Sequence, residues 1–528
     1  MNYLNDFFDD DTAGRAGLME KRPGKNSNPA ITGLEYDSRR VKPGNLYFAL
    51  PGLHTDGHAF VDDAIKRGAV AILHQNPLPF YDEEIFYIRV KDSRFALSPV
   101  AAAFYGFPGR HLTLIGVTGT EGKSTTVYLI YQLLRLLGKK AGFVSTVRYS
   151  HGEDETDNPE HQTTPEATDV HRHLAAMREN GAEYAVLECS SHGLSPRTNR
   201  LGDVLFDAGI MTNVTREHLE FHGTWEQYRE DKSRLFRALC TSGFGVVNAD
   251  DPSAAYFAAA TERPVYSFST RGGKADLSVE KLDGRAAGSA RGNTYEVRMQ
   301  STGKIIHIQD ELPGAFNAGN VLAALITVSK ILDMRIEEIV PLVPSLKPVR
   351  GRMTPIRRGQ PFEVIVDYAH TPSSFAAIFP AERQRLNCRG GRIISVFGSA
   401  GERDRGKRPE QGRIARDYSD IVILTDEDPR GENPMDILEE IAQGCEATPG
   451  CEANSGCEKM RGEELFLIPN RPAAIREAFK QARPGDLVLL LGKGHENSII
   501  YAKETLAYDE STEAEKALEE MGFVKANS

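Results

Sequence analysis

A strand that runs into a glycine-bearing turn and straight on into a helix constrains this chain more than any other feature. The segment Gly116-Val117-Thr118-Gly119-Thr120-Glu121-Gly122-Lys123-Ser124 follows the apolar run from Leu112 to Val117. It opens a helical pattern from Ser124 to Leu137, with Leu129, Leu133 and Leu136 on one face. Glycines let successive backbone N–H groups turn towards a phosphate, the helix N-terminus adds positive potential, and Lys123 supplies a mobile charge. Ser124 is placed to hold Mg2+. Val117 occupies the first glycine position of a strict Gly-x4-Gly-Lys-Ser motif. The strand and helix flanks favour a nucleoside triphosphate loop over an empty turn. Such loops occur in kinases, GTPases, transport ATPases and ligases, so the other motifs must choose among them.

The alternation continues along the chain. Tyr184 to Glu188, Ala208 to Asn213 and Phe244 to Asn248 read as strands with helical stretches between several of them, which predicts a mostly parallel sheet covered by helices. The last third repeats the pattern. There Glu363 to Asp367, Arg392 to Phe397, Asp420 to Thr425 and Leu487 to Leu491 each run into a polar or glycine-bearing loop, where ligands of open parallel sheets gather. Ahead of the phosphate loop, Asn45 to Leu50 and Ala69 to Leu73 read as strands and Phe60 to Arg67 as a helix. Phe107-Pro108-Gly109 and the segment Leu346 to Gly351 punctuate the chain. A length of 528 residues exceeds one domain. The reading is α/β with three domains: an N-terminal domain over 1–109, a central P-loop ATPase-like parallel sheet over 110–346 and a C-terminal Rossmann-like domain over 347–528.

Composition narrows the partners. The chain is 40% hydrophobic and 26% charged, which argues against disorder and fibrous repeats. Lys and Arg total 63 against 74 Asp and Glu, a net charge of −11, so nucleic acid is not expected as a partner, although a local basic pocket for a small polyanion is compatible with that total. The six cysteines are sparse, as suits a reducing cytoplasm. Cys445, Cys451 and Cys457 lack a neighbouring His and the short spacing of zinc sites, and read as a small duplicated insertion in a loop. The N-terminus is acidic, without a basic stretch or apolar core, and no apolar run approaches about 18 residues. A cytoplasmic monomer with no membrane partner is expected.

Gly119-Thr120-Glu121-Gly122-Lys123-Ser124 resembles the Gly-Thr-Asn-Gly-Lys-Thr loop of the Mur ligases, the ATP-dependent amino-acid ligases of peptidoglycan synthesis. Glu121 stands where the family usually has Asn, and its charge must point away from the phosphates or meet a cation. The resemblance runs over nearly the whole chain and is strongest to members that add the third peptide residue to UDP-N-acetylmuramoyl-L-alanyl-D-glutamate. Asp37-Ser38-Arg39 and Pro43 to Ala49 match their N-terminal uridine-nucleotide domain, which implies that Ser38 contacts the UDP moiety. Thr163-Thr164-Pro165-Glu166-Ala167 matches the segment whose threonines bind the sugar-peptide portion. Glu188-Cys189-Ser190-Ser191-His192-Gly193-Leu194 matches one that places Glu188 on Mg2+ and Ser190 on the substrate. The continuation is two residues longer than usual, so Arg200, with Arg197 as its rival, is the substrate arginine. Thr212 to Gly223 implies His218 as a ligand of a second Mg2+, and Tyr228-Arg229-Glu230-Asp231-Lys232 carries the lysine that CO2 converts to a carbamate, making Lys232 an Mg2+ ligand or positioner.

The C-terminal half extends the match. It implies that Thr125 and the rest of the loop hold the phosphates, Asn317 meets the adenine, Arg352 the γ-phosphate and Asp367 the ribose, and that the basic loop Phe397 to Pro409, with Arg403, closes over ATP and the incoming amino acid. The implied reaction forms an acyl phosphate on the D-glutamate side chain, which an amine then attacks. Lys123 and two Mg2+ ions stabilise charge, and His370 is the candidate base. The added residue is a diamino acid: lysine, ornithine or meso-diaminopimelate. Arg430 can pair with its carboxylate, Asp428 suits a side-chain ammonium, and Gly492 and Glu496 belong to Gly492-Lys493-Gly494-His495-Glu496. The balance leans towards a basic amino acid without a second carboxylate. A folylpolyglutamate synthetase-like ligase shares the phosphate loop, but should lack the Asp-Ser-Arg domain. A non-catalytic nucleotide-binding protein would have no reason to keep Glu188, His218 and Lys232 together.

Overall fold

Runs of aliphatic and β-branched residues set the strands, and their burial shows which sheets are covered on both faces. In the computed structural model, which describes residues 2–52, 55–159, 162–215, 217, 219–283, 292–387, 390–446 and 461–524, Thr113–Thr118, Tyr184–Glu188 and Phe206–Met211 are buried almost throughout. That is the signature of strands inside a parallel sheet with helices on both sides. They lie in the middle of an eleven-stranded sheet. Pairing is parallel from Ala141–Val144 through Tyr184–Glu188, Thr113–Thr118, Phe206–Met211, Leu239–Asn248 and Val265–Ser269 to Leu277–Asp283. At both outer ends the pairing turns antiparallel, through Arg148–Ser150 and Glu155–Asp157 on one side and Asn293–Met299 and Ile305–Asp310 on the other. The expected mostly parallel sheet is therefore the middle of a mixed one. Asn293–Met299 alternates buried and half-buried residues, as a strand covered on one face does.

The C-terminal sheet has six strands in the order Thr354–Ile356, Glu363–Asp367, Leu487–Leu491, Ile393–Phe397, Ile421–Leu424, Leu465–Leu467. All but the first pair are parallel. The N-terminal sheet has five strands, parallel except where Leu18–Arg22 joins Phe86–Val90. The helix expected over Phe60 to Arg67 is a 3-10 turn, Gly57–Phe60, followed by the α-helix Val61–Lys66.

The phosphate-loop helix runs over Lys123–Leu136. Leu129 and Leu133 are buried, but Leu136 is 45% exposed because the helix end has passed the edge of its cover. Its partner is the helix Asn317–Leu332, whose residues from Asn317 to Ser329 are all buried against it and the sheet. Hydrogen bonds and ion pairs fasten the modules to one another, Arg94 to Glu166 among them. Tyr36 donates its hydroxyl proton to Asp169 at 3.0 Å, and Arg15 pairs with Asp203 at 2.5 Å, joining the N-terminal module to the central one. Arg350, between the second and third sheets, donates to Asp157 at 3.3 Å and to Asp509 at 2.6 Å. Among the described residues no helix is long and apolar enough to cross a membrane. Cys388, Cys451, Cys457 and most of the proposed insertion lie outside the described residues.

Leu325, fully buried in the middle of this helix pair, gives a test of the core. Leu325→Ala should cost about 2–5 kcal/mol, seen as a lower thermal midpoint, and an unchanged midpoint would contradict the packing.

Candidate functional site

The carboxyl ends of the central parallel strands converge on the phosphate loop. Gly122 takes a positive φ of 82° as the cap before Lys123, and a side chain there would meet Asn320 Oδ1 at 2.6 Å, so both conformation and space require glycine. The next strand end grips the loop. Asn213 Oδ1 accepts from Glu121 N at 2.9 Å, Asn213 O accepts from Thr120 N at 2.9 Å, and the Thr212 hydroxyl donates to Glu121 O at 2.6 Å. Lys123 folds back, its ammonium donating to Thr120 O at 2.7 Å. Ser124 donates to Glu188 Oε1 at 3.0 Å, while Glu188 Oε2 accepts from Thr146 N at 2.9 Å. Thr125 is buried in the same first helical turn.

Beside this loop, Lys232 is buried with its Nζ donating to Gly119 O at 2.6 Å and lying 4.6 Å from the Tyr228 ring centroid. Burial, and then the charge of Lys123, hold its ammonium well below the usual lysine pKa. His222 Nδ1 lies 2.8 Å from Asp231 Oδ2, both groups buried. His218 lies outside the described residues.

On the N-terminal side, the Thr164 hydroxyl donates to Glu188 O at 2.8 Å and accepts from Ser190 N at 2.9 Å. Ser190 is an N-cap, its hydroxyl accepting from Gly193 N at 3.0 Å. Arg200 donates to Thr164 O and to Glu166 Oε1, each at 2.8 Å. Arg197 turns away to Phe221 O at 2.7 Å. Of the two, Arg200 is joined to the threonine segment. Ser38 is buried in a 3-10 turn capped by Asp37.

A cleft of about 1080 Å³ opens between the central and C-terminal sheets. Of the residues singled out from sequence, Thr120, Glu121, Lys123, Thr163, Glu188, Arg352, His370, Arg403, Asp428, Arg430 and Glu496 line it. Gly119, Gly122, Ser124, Thr125, Thr164, Ser190, Arg200 and Lys232 stand behind that wall, and Ser38 is away from it. Asn317 and Asp367 are also off the wall. Asn317 donates to Pro313 O at 2.7 Å and accepts from Asn320 at 2.8 Å. The Asp367 oxygens accept from Met353 N at 2.6 Å and Ala369 N at 2.7 Å, so the carboxylate expected at a ribose shapes its own loop.

Two further expectations change. Asp428 does not wait for a substrate ammonium: its Oδ1 accepts from Lys493 Nζ and from Ile500 N, both at 2.9 Å. Lys493 also pairs with Glu496 at 2.5 Å; against the cost of burial, Glu496 and Asp428 keep its ammonium above the ordinary lysine range. The basic loop 397–409 diverges rather than closing as one patch. Arg408 is buried against Glu432 and Glu440, Arg405 pairs with Glu440, and only Arg403, Asp404, Gly406 and Lys407 of its charged end reach the cleft with Ala400. Glu121, finally, meets both alternatives raised for it: its Oε1 accepts from Thr371 of the C-terminal module at 3.3 Å, and Arg352 and Lys123 supply positive charge nearby. Burial, and then Glu217, push its carboxyl up to about 7.

His370 Nδ1 is 2.9 Å from Tyr368 O, and burial and then Lys407 push the ring down to about 4. It is the neutral imidazole with its Nδ1 proton on that carbonyl and Nε2 turned towards Glu217, 3.9 Å away. Arg430 adopts a positive φ of 54°, and its N–H donates to Ile500 O at 2.9 Å. Gly492, φ 102°, donates to Asp367 O at 3.1 Å. Glu427, Thr146, Thr371 and His192 also line the cleft and were not singled out. Glu427 is 6% exposed, and among the described residues nothing bonds its Oε2. Its place inside Asp426-Glu427-Asp428-Pro429-Arg430, after a buried strand, was the available signal.

The comparisons agree along the chain. The Mur ligase middle domain family matches residues 117–328, the Mur ligase glutamate ligase domain 351–494, and the Mur ligase family catalytic domain 30–105. A UDP-N-acetylmuramyl-tripeptide synthetase of Treponema denticola is 52% identical over 93% of this chain and 94% of its own. A UDP-N-acetylmuramoyl-L-alanyl-D-glutamate--2,6-diaminopimelate ligase of Geobacillus kaustophilus is 36% identical over 96% of this chain and 99% of its own. A solved structure of a ligase of that diaminopimelate name covers 93% of this chain and 95% of its own, with 28% identity and a TM-score of 0.58. The match over 30–105 covers the N-terminal region that a folylpolyglutamate synthetase-like chain should lack.

Glu121 carries a pH prediction. A carboxyl raised from 4.5 to about 7 is protonated in both folded and unfolded chains below 4.5, and there its burial costs nothing. Between pH 4.5 and about 7 the unfolded chain has given up that proton while the folded protein keeps it, so stability falls across this window and levels off above it. Above pH 7, Glu121→Gln should therefore raise the unfolding free energy by on the order of 1–3 kcal/mol, read as a higher thermal midpoint, with the gain vanishing near pH 4.5. A gain of equal size at both ends would overturn this account.

Proposed function

The chain belongs to the Mur ligase family, and on that footing we propose that it is the ATP-dependent ligase that adds the third peptide residue to UDP-N-acetylmuramoyl-L-Ala-D-Glu in peptidoglycan precursor synthesis. It is an acid–amino-acid ligase that releases ADP and phosphate. The observation that carries the assignment of roles is a juxtaposition. On one side of the cleft a phosphate loop is backed by the Ser124–Glu188 oxygen pair at 3.0 Å and the buried Lys232 amine, and the C-terminal module supplies Arg352 and Arg430 across from them.

ATP is proposed to lie along Gly119 to Thr125, with Arg352 at the γ-phosphate and the helix beginning at Asn317 beside the adenine. Lys123 leaves Thr120 O for the phosphates. Hydroxyl and carboxylate oxygens are the donors Mg2+ takes, so Ser124 and Glu188 would hold one ion, with His218 and Lys232 assigned to a second; when bound, the ions offset phosphate charge. Burial favours the uncharged amine of Lys232, the form that takes up CO2, which would turn a cation into an anionic carbamate donor. Ser38, Thr163, Thr164, Ser190 and Arg200 are assigned to the UDP-sugar-dipeptide, whose D-glutamate carboxylate would then face the γ-phosphorus. Carboxylate attack there gives the acyl phosphate and ADP. Attack of the amine gives a tetrahedral intermediate that collapses to amide and phosphate.

His370 holds its proton on Nδ1, which leaves Nε2 to accept one from the attacking amine. At a pKa of about 4 it is a weak acceptor, so the amine has to arrive uncharged. The incoming residue is proposed to be a diamino acid: lysine, ornithine or meso-diaminopimelate. Arg403 and Arg430 face carboxylate, and Glu427 faces ammonium, with Glu496, shared with Lys493, beside it. Asp428, neutralised by Lys493, sets the loop rather than the substrate charge. Gly492 leaves Glu427 room: a side chain there would come within 3.1 Å of its Oε2.

Incubating the protein with the UDP-sugar-dipeptide, ATP, Mg2+ and each of the three diamino acids, then measuring ADP and product mass, should show turnover with at least one. None from folded protein would sink the ligase reading. Lys232→Ala should lower turnover by about 100-fold or more. Carbon-13-labelled bicarbonate should give the wild type a carbamate resonance that the variant lacks; its absence from the wild type would remove the carbamate.

A further inference from the structure

Two loops make the amino-acid side of the cleft, and they grow from strands that do not touch. Ile421–Leu424 leads to Glu427, Asp428 and Arg430, and Leu487–Leu491 leads to Gly492, Lys493 and Glu496. Ile393–Phe397 lies between these strands in the sheet. At about 4.8 Å per strand, the loop bases are roughly 10 Å apart, and no direct ladder between them sets their separation.

Lys493 joins the two loops to each other through Asp428, and a second side chain spans the gap at their bases. Arg471, the first residue of the helix Arg471–Gln481, is fully buried and outside the cleft wall. Its Nη1 donates to Asp426 O at 3.0 Å and its Nη2 to Leu491 O at 2.7 Å, so one guanidinium holds both points where strand gives way to loop. The fork is locked from behind. Nε donates to Glu510 Oε2 at 2.8 Å and Nη2 to Glu510 Oε1 at 2.7 Å, and the Tyr508 hydroxyl donates to Glu510 Oε2 at 2.6 Å. Glu510 is also fully buried. A planar, five-donor guanidinium can make all of these bonds at fixed angles, and an ammonium cannot. A charge pair removed from water this fully is weak evidence for stability alone, and positional specificity is the better-supported use of such a pair.

We propose that Arg471 is a positioning residue for the incoming amino acid. By tying Asp426 O to Leu491 O it sets the spacing of the bases of the Glu427–Arg430 and Gly492–Glu496 loops, beneath the Lys493–Asp428 pair, and so tunes the affinity for that substrate without touching it. This rests on the assignment of those loops to the amino acid made above.

Arg471→Lys keeps the charge and loses the fork, and Tyr508→Phe removes one hydrogen bond from Glu510. Both are assayed for KM of L-lysine, L-ornithine and meso-diaminopimelate, of ATP and of the UDP-sugar-dipeptide. For whichever diamino acid the wild type uses, Arg471→Lys should raise KM about 10-fold or more, and Tyr508→Phe about 2- to 5-fold, with both other KM values within about 2-fold. Amino-acid KM unchanged in folded variants, or all three KM values moving together, would overturn the proposal. If Arg471→Lys does not fold, Tyr508→Phe decides. If the wild type turns over none of the three, the ligase reading fails separately. The clamp is then judged by amide hydrogen exchange over 426–430 and 492–496, which Tyr508→Phe should quicken in both loops; exchange unchanged in either would count against it.

Discussion

The carboxylate of Glu188 is the point on which the site depends. It sits at the end of a central strand, buried, where an ionised group without partners would be costly. It is compensated on each side: Ser124 from the phosphate loop, Thr146 N from the neighbouring strand's end, and Thr164 bonding the same residue's carbonyl. One residue thus sets the loop, the adjacent turn and the threonine segment in register. Hydrogen bonds to a carboxylate are directional, which suits a scaffold that has to bring three substrates together.

The cleft wall interleaves both signs of charge, with acidic side chains in excess as in the chain overall. Lys123, Arg352, Arg403 and Arg430 stand among Glu121, Glu188, Glu217 and Glu427. Two of the most strongly perturbed groups, Lys232 and Glu121, are perturbed first by burial, each towards its uncharged form. Partners and solvent exclusion together decide which groups stay ionised beside a triphosphate.

Legibility in the sequence follows the range of the interactions. The phosphate loop could be read because its residues answer local demands, Gly122 its left-handed turn and Ser124 its first helical turn. The parallel strands could be read because both faces are covered, so their apolar runs are continuous. Leu136 broke the helix pattern because exposure depends on where the neighbouring layer stops. Asp428 and Asp367 carry charges whose partners, Lys493 and the backbone at Met353 and Ala369, are set by folding, and residue type alone pointed them at substrates. Glu427 escaped notice because its unpaired oxygen is a property of the assembled loops.

Arg350 reaches Asp509, and Arg471 reaches Glu510, so adjacent residues at the start of the final helix serve the junction with the central module and the loops of the cleft. The helix Glu510–Glu520 is thus a late-made part that two earlier regions wait for. During synthesis the phosphate loop is complete long before its counterpart across the cleft can take shape. A chain interrupted ahead of residue 509 would keep the residues for gripping a nucleotide while lacking both carboxylates that bring the acceptor side into place.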